Sequence, residues 1–401
     1  MGKQGVLAID LGCSLIKAFS GKIGSNGEIA ITGSGIVPAS GFSKGVITNQ
    51  DMVIKSLKQA VDCVTSDEDR LDQTVYVGLS GMGIEFHKAV GSIALTASEI
   101  VSGSDVDRVC RAAILASVSE ELEVLHVLPG CFRLDDELFF TAPLGKSGKR
   151  LLAEVQIVTV PKAMINHFVQ AAGVSGIHIA RIVANAAVSK EVLTAGLPVK
   201  SHMTLDIGAG STDIVMYNEH GAIHKAGSLP FGGDYITSDI MQGIGINYEH
   251  AESIKRYFAK LDKQLLGNGV ILDCNDQGTT DKNVPYDFLH KIIESRVDEI
   301  VAIVHEYLKP AMAEAAVENA YVSGGGSLLG SFSECVERHF GVDTIPAVAQ
   351  NLPSEYSSPL NTACYGILKY AAARQAEHEV IAAGSSTSFW TKVKRFLKTA
   401  P

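Results

Sequence analysis

The segment Asp10-Leu11-Gly12-Cys13-Ser14 returns about half a chain later as Asp206-Ile207-Gly208-Ala209-Gly210-Ser211-Thr212-Asp213. Each copy lies between two apolar runs: residues 6–9 and 15–23 flank the first, residues 203–207 and 213–217 the second. Two apolar runs joined by a tight glycine turn read as a β-hairpin. A repeat at this distance duplicates a domain, not a short solenoid unit. The chain is therefore expected to build two similar halves, each opening on a hairpin, with Leu197-Pro198 as the hinge before the second. Its 401 residues, 46% hydrophobic and 19% charged, supply enough core for two domains.

Between the repeats, helical and strand patterns alternate. Residues 28–36 extend the opening meander after a Ser25-Asn26-Gly27 turn. Residues 50–64 read as a helix and 74–79 as a strand. Ser104-x-x-Asp107 resembles a capping box ahead of a helix over 109–118. Strands are expected at 123–128 and 154–159, and a helix from Pro161 to residue 172.

The two hairpins share one chemical device. A glycine turn lets backbone N–H groups point at an anion with no side chain in the way. An aspartate at the strand end repels phosphate but can hold Mg²⁺ or its waters, which bridge to phosphate oxygens. Lys17 is placed to bring a positive charge to a phosphate. A third cluster, Ser323-Gly324-Gly325-Gly326-Ser327, follows the apolar residues 320–322 and precedes a helical stretch over 328–340. Its glycines permit close approach of a base or ribose, and that helix would turn its N-terminus to the ligand. Any one glycine turn is an ordinary hairpin feature. The three in this order, two of them with aspartate, describe a nucleotide clamp.

This order resembles the actin, Hsp70 and sugar-kinase superfamily. Within it the chain is most similar to the FtsA family of bacterial cell-division proteins. That closer match rests on Ser80-Gly81, His126-Val127-Leu128-Pro129, the run from Leu229-Pro230-Phe231-Gly232-Gly233 to Thr237-Ser238-Asp239-Ile240, and Ala251-Glu252-Ser253-Ile254-Lys255. The resemblance implies an α/β, actin-like two-domain fold: duplicated mixed sheet and helix cores around a nucleotide cleft, an extra α+β subdomain, and a C-terminal amphipathic helix. It implies domain I over 1–196 with 345–381, the extra subdomain at about 84–160, and domain II over 199–344. It assigns Asp10, Gly12, Ser14 and Lys17 to the first phosphate loop. Asp206, Gly208, Gly210, Ser211 and Thr212 fall to the second. Asp10 and Asp206 would stand near Mg²⁺ and hold it through water, so that neither need touch the ion. Gly233, Glu252 and Lys255 would approach the ribose and base, and Gly324, Gly325 and Gly326 the adenosine of ATP. The implied partners are the C-terminal peptide of the tubulin-like protein FtsZ, docking within about 240–309, further copies of the chain in a filament, and other divisome proteins. One departure matters. Relatives that hydrolyse ATP well carry Glu or Gln between the hairpins to orient water, and residues 181–189 have neither. Asn185 is a weak substitute, so hydrolysis is expected to be slow at most.

The C-terminus carries its own signal. Phe389, Val393, Phe396 and Leu397 share one helical face, bordered by Trp390. Lys392, Lys394, Arg395 and Lys398 take the flanks, and no acid occurs from Ser385 to Pro401. The net charge is −10, so with +4 on this tail the rest carries −14. An acidic body argues against nucleic-acid binding, while a basic amphipathic tail of residues 389–399 on a 382–388 tether suits an anionic membrane surface. The alternative, a helix docked on its own body, fits the Gly/Ser-rich tether poorly. No signal peptide or run of about eighteen apolar residues occurs, so the tail would meet the cytoplasmic face, at the division site if the resemblance holds. The seven scattered cysteines suggest neither a disulfide framework nor a zinc motif, and His220 and His224 flank a Gly221 turn. Two other readings remain open: a scaffold like the type IV pilus protein PilM, or a metabolic kinase of the same superfamily. A kinase needs a carboxylate base that nothing here singles out.

Overall fold

A computed structural model describes residues 5–24, 28–66, 73–95, 100–193, 201–259, 271–273, 283–349 and 352–382. The expected hinge at Leu197-Pro198, the tether beyond residue 382 and the whole amphipathic tail, Phe389 to Lys398 included, lie outside the described residues.

Two five-stranded sheets share one topology. In the first, Gly5–Leu11 lies antiparallel to Leu15–Ile23, which is antiparallel to Ile29–Pro38. On its other edge Gly5–Leu11 pairs in parallel with Gln73–Leu79, which pairs in parallel with Ile179–Ala184. The second repeats this with His202–Ile207 in the place of Gly5–Leu11. Thr212–Tyr217 and Ile223–Leu229 continue antiparallel, and Asn319–Ser323 and Asp343–Pro346 parallel. The duplication suggested by the Asp-x-Gly segments is thus a duplication of entire sheets.

The opening strand is apolar on both faces from Val6 to Ile9 because helices cover both faces of its sheet. Leu7, Ile9 and Leu11 pack toward Gln50–Asp62 and Lys162–Val174. Val6 and Ala8 pack the other way, against Ile367, Leu368 and Ala371 of Thr362–Ala382. In the second half Met203, Leu205 and Ile207 face a large core built from Gly233–Ile244, Tyr248–Phe258, Tyr286–Met312 and Gly330–Phe340. The opposite face is met by the short helix Asn185–Val188 through Ala186. After Asp343–Pro346 the chain crosses back, and Thr362–Ala382 packs on the first sheet.

Between Gln73–Leu79 and Ile179–Ala184 the chain builds a separate antiparallel sheet in the order Glu85–Ala94, Arg150–Pro161, Leu122–Leu134, Glu137–Phe139, with Gly103–Ser117 against it. Two sequence expectations need correction here. The helix begins at Gly103, so its cap is Ser102 and not Ser104. The Ser102 hydroxyl accepts from the Asp105 amide and the Asp105 carboxylate accepts from the Ser102 amide. The third strand runs on to Leu134, past Pro129-Gly130, where a register shift against Glu154 and Val155 bulges the chain. A bulge tolerates the proline that would end a regular strand. The stretch expected to be helical from residue 328 opens as a 3₁₀ turn, Gly326–Leu328, and becomes α-helical at Gly330. No described helix is long and apolar enough to cross a membrane.

Candidate nucleotide cleft

The two hairpin turns meet. A Cβ on Gly210 would lie 2.6 Å from the Cys13 sulfur, so the second turn needs glycine because the first presses against it. Around this meeting point opens a cleft of about 450 Å³, within the range of small-molecule sites. Asp10, Gly12, Ser14 and Lys17 line it from the first half. Asp206, Gly208, Gly210, Ser211, Gly233, Glu252, Lys255 and Gly324–Gly326 line it from the second.

Thr212 does not join them. It is buried behind the turn, and its hydroxyl donates to the Phe231 carbonyl at 2.8 Å. Its work is to fasten the hairpin to the end of the next strand.

The acidic centre follows from the hairpin register. Asp10 stands opposite Lys17, and by the same spacing Asp206 stands opposite Asp213. The first hairpin pairs acid with base; the second pairs acid with acid. Lys17 Nζ lies 2.6 Å from Asp10 Oδ2, so this lysine enters the cleft as the counter-ion of a carboxylate and not as a free phosphate ligand. Burial alone would favour its neutral amine, but Asp10 and Asp206 outweigh that and hold its pKa above the ordinary value. Burial pushes Asp206 up to about 6, with Asp10 adding to the effect and Lys17 opposing it. Burial and Asp206 push Asp213 up to about 7. Three carboxylates thus share one ammonium at the floor of the cleft.

Asp213 was within the repeated motif but was not marked as a site residue by sequence. Its partners come from both halves. Ser80, just past Gln73–Leu79, donates to Oδ2 at 2.7 Å, and Ser228 of Ile223–Leu229 donates to Oδ1. The Gly81 amide donates to Ser228 Oγ at 2.9 Å, which closes the bridge between halves. Asn185 donates from Nδ2 to Asp10 Oδ1 at 2.8 Å, while its own Oδ1 is buried without a hydrogen-bond partner. The spacing of seven from Asp206 to Asp213, matching Asp10 to Lys17, is the sequence signal for Asp213. Nothing local marks Ser228.

The third glycine cluster is shaped by the protein itself. Gly324 has φ +82°, and a Cβ there would lie 2.3 Å from Asp206 Oδ1. One on Gly326 would meet Ile207 Cγ2 at 2.4 Å. The glycines let Asn319–Ser323 turn tightly over the end of His202–Ile207, and the same lack of side chains keeps that wall of the cleft open. On the far wall Lys255 Nζ lies 2.6 Å from Glu252 Oε2 and donates to the Gly233 carbonyl at 3.0 Å. Glu252 is half-buried, which by itself would raise its carboxyl, yet Lys255, Thr237 and Arg256 hold it below the usual range. Arg256 also reaches Ser14 Oγ at 3.3 Å, so the first turn is tied to the second half from this side too.

Two equivalent sheets with hairpin turns facing one cleft define an actin-like two-domain fold. Solved structures with that fold include the PilM–PilN type IV pilus biogenesis complex. It is 15% identical, with 92% of this chain and 98% of that chain covered and a TM-score of 0.67. MreB5 of Spiroplasma citri bound to AMPPNP is 14% identical, with coverage of 94% and 99% and a TM-score of 0.54.

The chain belongs to the FtsA family. Residues 203–366 match the family described as cell division protein FtsA, and residues 81–159 match the SHS2 domain inserted in FtsA. The cell division protein FtsA of Pseudomonas aeruginosa is 27% identical over 378 residues, covering 93% of this chain and 90% of its own length. That of Escherichia coli K12 is 26% identical over 378 residues, covering 91% and 90%.

Proposed function

We propose that this chain binds ATP with Mg²⁺ in the cleft, polymerises on the cytoplasmic face of the membrane, and anchors FtsZ filaments there during septum formation. The observation that carries the reading is the charge balance at the cleft floor: Asp10, Asp206 and Asp213 against Lys17, beneath two glycine turns in contact. A site with surplus buried carboxylate and side-chain-free turns suits a divalent cation bridged to phosphate. The donor set therefore fits Mg²⁺, with Asp10 and Asp206 as the groups that would hold it or its waters. Gly12, Ser14, Gly208, Gly210 and Ser211 would bind phosphate, and Glu252, Lys255 and Gly324–Gly326 would face the nucleoside. That MreB5 was solved with AMPPNP supports nucleotide in a cleft of this kind.

The bound nucleotide supplies a charged bridge between the halves. Ser80, Asp213 and Ser228 already link them across the floor, and Arg256 with Ser14 across the rim. ATP acts here chiefly as a conformational ligand, because residues 181–189 carry neither Glu nor Gln and, among them, bring Asn185 alone to the cleft. The relatives being cell-division proteins supports the divisome role. The amphipathic pattern of residues 389–398 supports attachment, with the FtsZ peptide received by the 240–309 region.

The test is electron microscopy of the full chain on anionic lipid monolayers, with and without ATP and Mg²⁺. Filaments on lipid that require ATP are the expected result, and they should bind FtsZ but not FtsZ lacking its C-terminal peptide. Calorimetry showing no ATP binding with Mg²⁺ present would overturn the reading.

A further inference from the structure

Far from the cleft, two helices of the second half bring together three side chains of metal-ligand type. Cys335 and His339 are four residues apart on Gly330–Phe340, one turn of one face. Asp298 reaches them from the adjoining Tyr286–Met312. Their ligand atoms all lie within 4.8 Å of one another. Asp298 Oδ1 is 3.0 Å from His339 Nε2 and 3.5 Å from Cys335 Sγ.

Those separations carry the argument. Zn–O and Zn–N bonds of about 2.1 Å and Zn–S bonds of about 2.3 Å at the tetrahedral angle place ligand atoms roughly 3.3–3.7 Å apart. The two edges that meet at Asp298 differ from this by a few tenths of an ångström, and the third, between Cys335 Sγ and His339, lies within 4.8 Å. The cluster already holds a cation. Arg338 Nη2 lies 2.7 Å from Asp298 Oδ1 and 3.3 Å from the Cys335 sulfur. The Arg338 side chain is 64% exposed, free to leave for water when a metal takes the same two acceptors. The sulfur is nearly inaccessible, at 2% exposure of its residue, while Asp298 opens the cluster to solvent.

We propose that Asp298, Cys335 and His339 form a three-ligand site for a borderline-soft divalent cation, Zn²⁺ foremost. Thiolate with imidazole selects such an ion over Mg²⁺ or Ca²⁺, which take oxygen ligands. Binding forms a Zn–S bond as the Cys335 S–H proton is released to solvent, and leaves the fourth position to water. The ion clips Gly330–Phe340 to Tyr286–Met312 and so stabilises the folded second half.

The experiment uses the full, reduced chain and titrates it with Co²⁺, followed by absorbance. A thiolate-to-cobalt band with intense d–d bands, saturating at one metal per chain and displaced by Zn²⁺ but not by Mg²⁺, is expected. Cys335→Ser should lose the thiolate band. Asp298→Asn and His339→Gln, at more accessible positions, should keep the chain folded and weaken Zn²⁺ binding about a hundredfold or more. No band in the parent chain would overturn the proposal. So would a band that survives Cys335→Ser, or Zn²⁺ affinity unchanged in both Asp298→Asn and His339→Gln.

Discussion

Asp213 holds in the second hairpin the position that Lys17 holds in the first, and this exchange of charge sets the character of the cleft. Like charges opposite one another on a hairpin destabilise it unless something compensates. Two serine hydroxyls do so in part, yet Asp213 still titrates near 7 and Asp206 near 6. Unfolded carboxyls titrate near 4, so the folded chain binds more protons between about pH 4 and pH 7. Its stability therefore falls as pH rises through that window and levels off above it. Without nucleotide or Mg²⁺, the melting temperature should be higher at about pH 6 than at about pH 8, and Asp213→Asn should flatten that difference. The raised Asp213 carboxyl contributes about 4 kcal/mol of this at most. A parent chain that melts lower at the more acidic pH would refute the assignment. Gly210 gives a second test. Gly210→Asp places a Cβ against the Cys13 sulfur and a carboxylate into an already acidic floor. ATP affinity by calorimetry should fall at least tenfold, with circular dichroism unchanged; retained affinity would mean the second turn does not meet phosphate. Asp10 and Asp206 were legible because each ends an apolar run two residues before a glycine, whereas Asp213 opens a run and is signalled only by its spacing of seven from Asp206. Ser80 and Ser228 were not legible as a pair, because they become partners only when strands from different halves meet.

At the scale of elements, sequence reading succeeded where a pattern is local and strong. The hairpins, the Gln50–Asp62 helix and the strand pairs around both motifs follow from apolar runs broken by glycine. It failed where two residues compete for one role. Ser102 and Ser104 both precede an acidic residue by three, and the two hydroxyls lie 2.7 Å apart. The structure resolves them by backbone: Ser102 is extended, with φ −105° and ψ 166°, as an N-cap must be. Ser104 is already inside the helix and caps nothing. Ser102→Ala should therefore cost the first turn of Gly103–Ser117 about 1 kcal/mol, while Ser104→Ala costs a few tenths. Amide hydrogen exchange of Asp105 and Val106 would read this as roughly fivefold faster exchange in the first variant only. Equal effects would restore Ser104 as the cap. The continuation of Leu122–Leu134 past Pro129-Gly130 was hidden for a related reason. A proline reads as a strand end unless the partner strand's register is known, and that register is a property of the pair.

For the whole molecule, duplication was legible because it is written twice in the chain, whereas the contact of the two turns depends on how halves are joined. The same scale governs attachment to a surface. Four cations near an anionic leaflet contribute about 4 kcal/mol at roughly 1 each. Partial burial of five apolar side chains adds about 5 kcal/mol. Ordering some ten residues costs about 10 kcal/mol, partly offset by helical hydrogen bonds. The sum is close to zero, so a single tail of the proposed kind should exchange on and off the membrane. Chains held together in a filament attach differently, since each further tail binds intramolecularly at high effective concentration. Membrane binding should accordingly depend steeply on protein concentration and on ATP, if ATP supports assembly. In sedimentation with anionic vesicles the parent chain should pellet above a threshold concentration. Trp390→Glu puts a charge at the border of the apolar face and should abolish pelleting, as should a chain ending at Ala383, while both keep the ATP affinity of the cleft. Equal pelleting of Trp390→Glu and parent would remove the anchor. Pelleting that rises in simple proportion to concentration would keep the anchor but break its coupling to assembly.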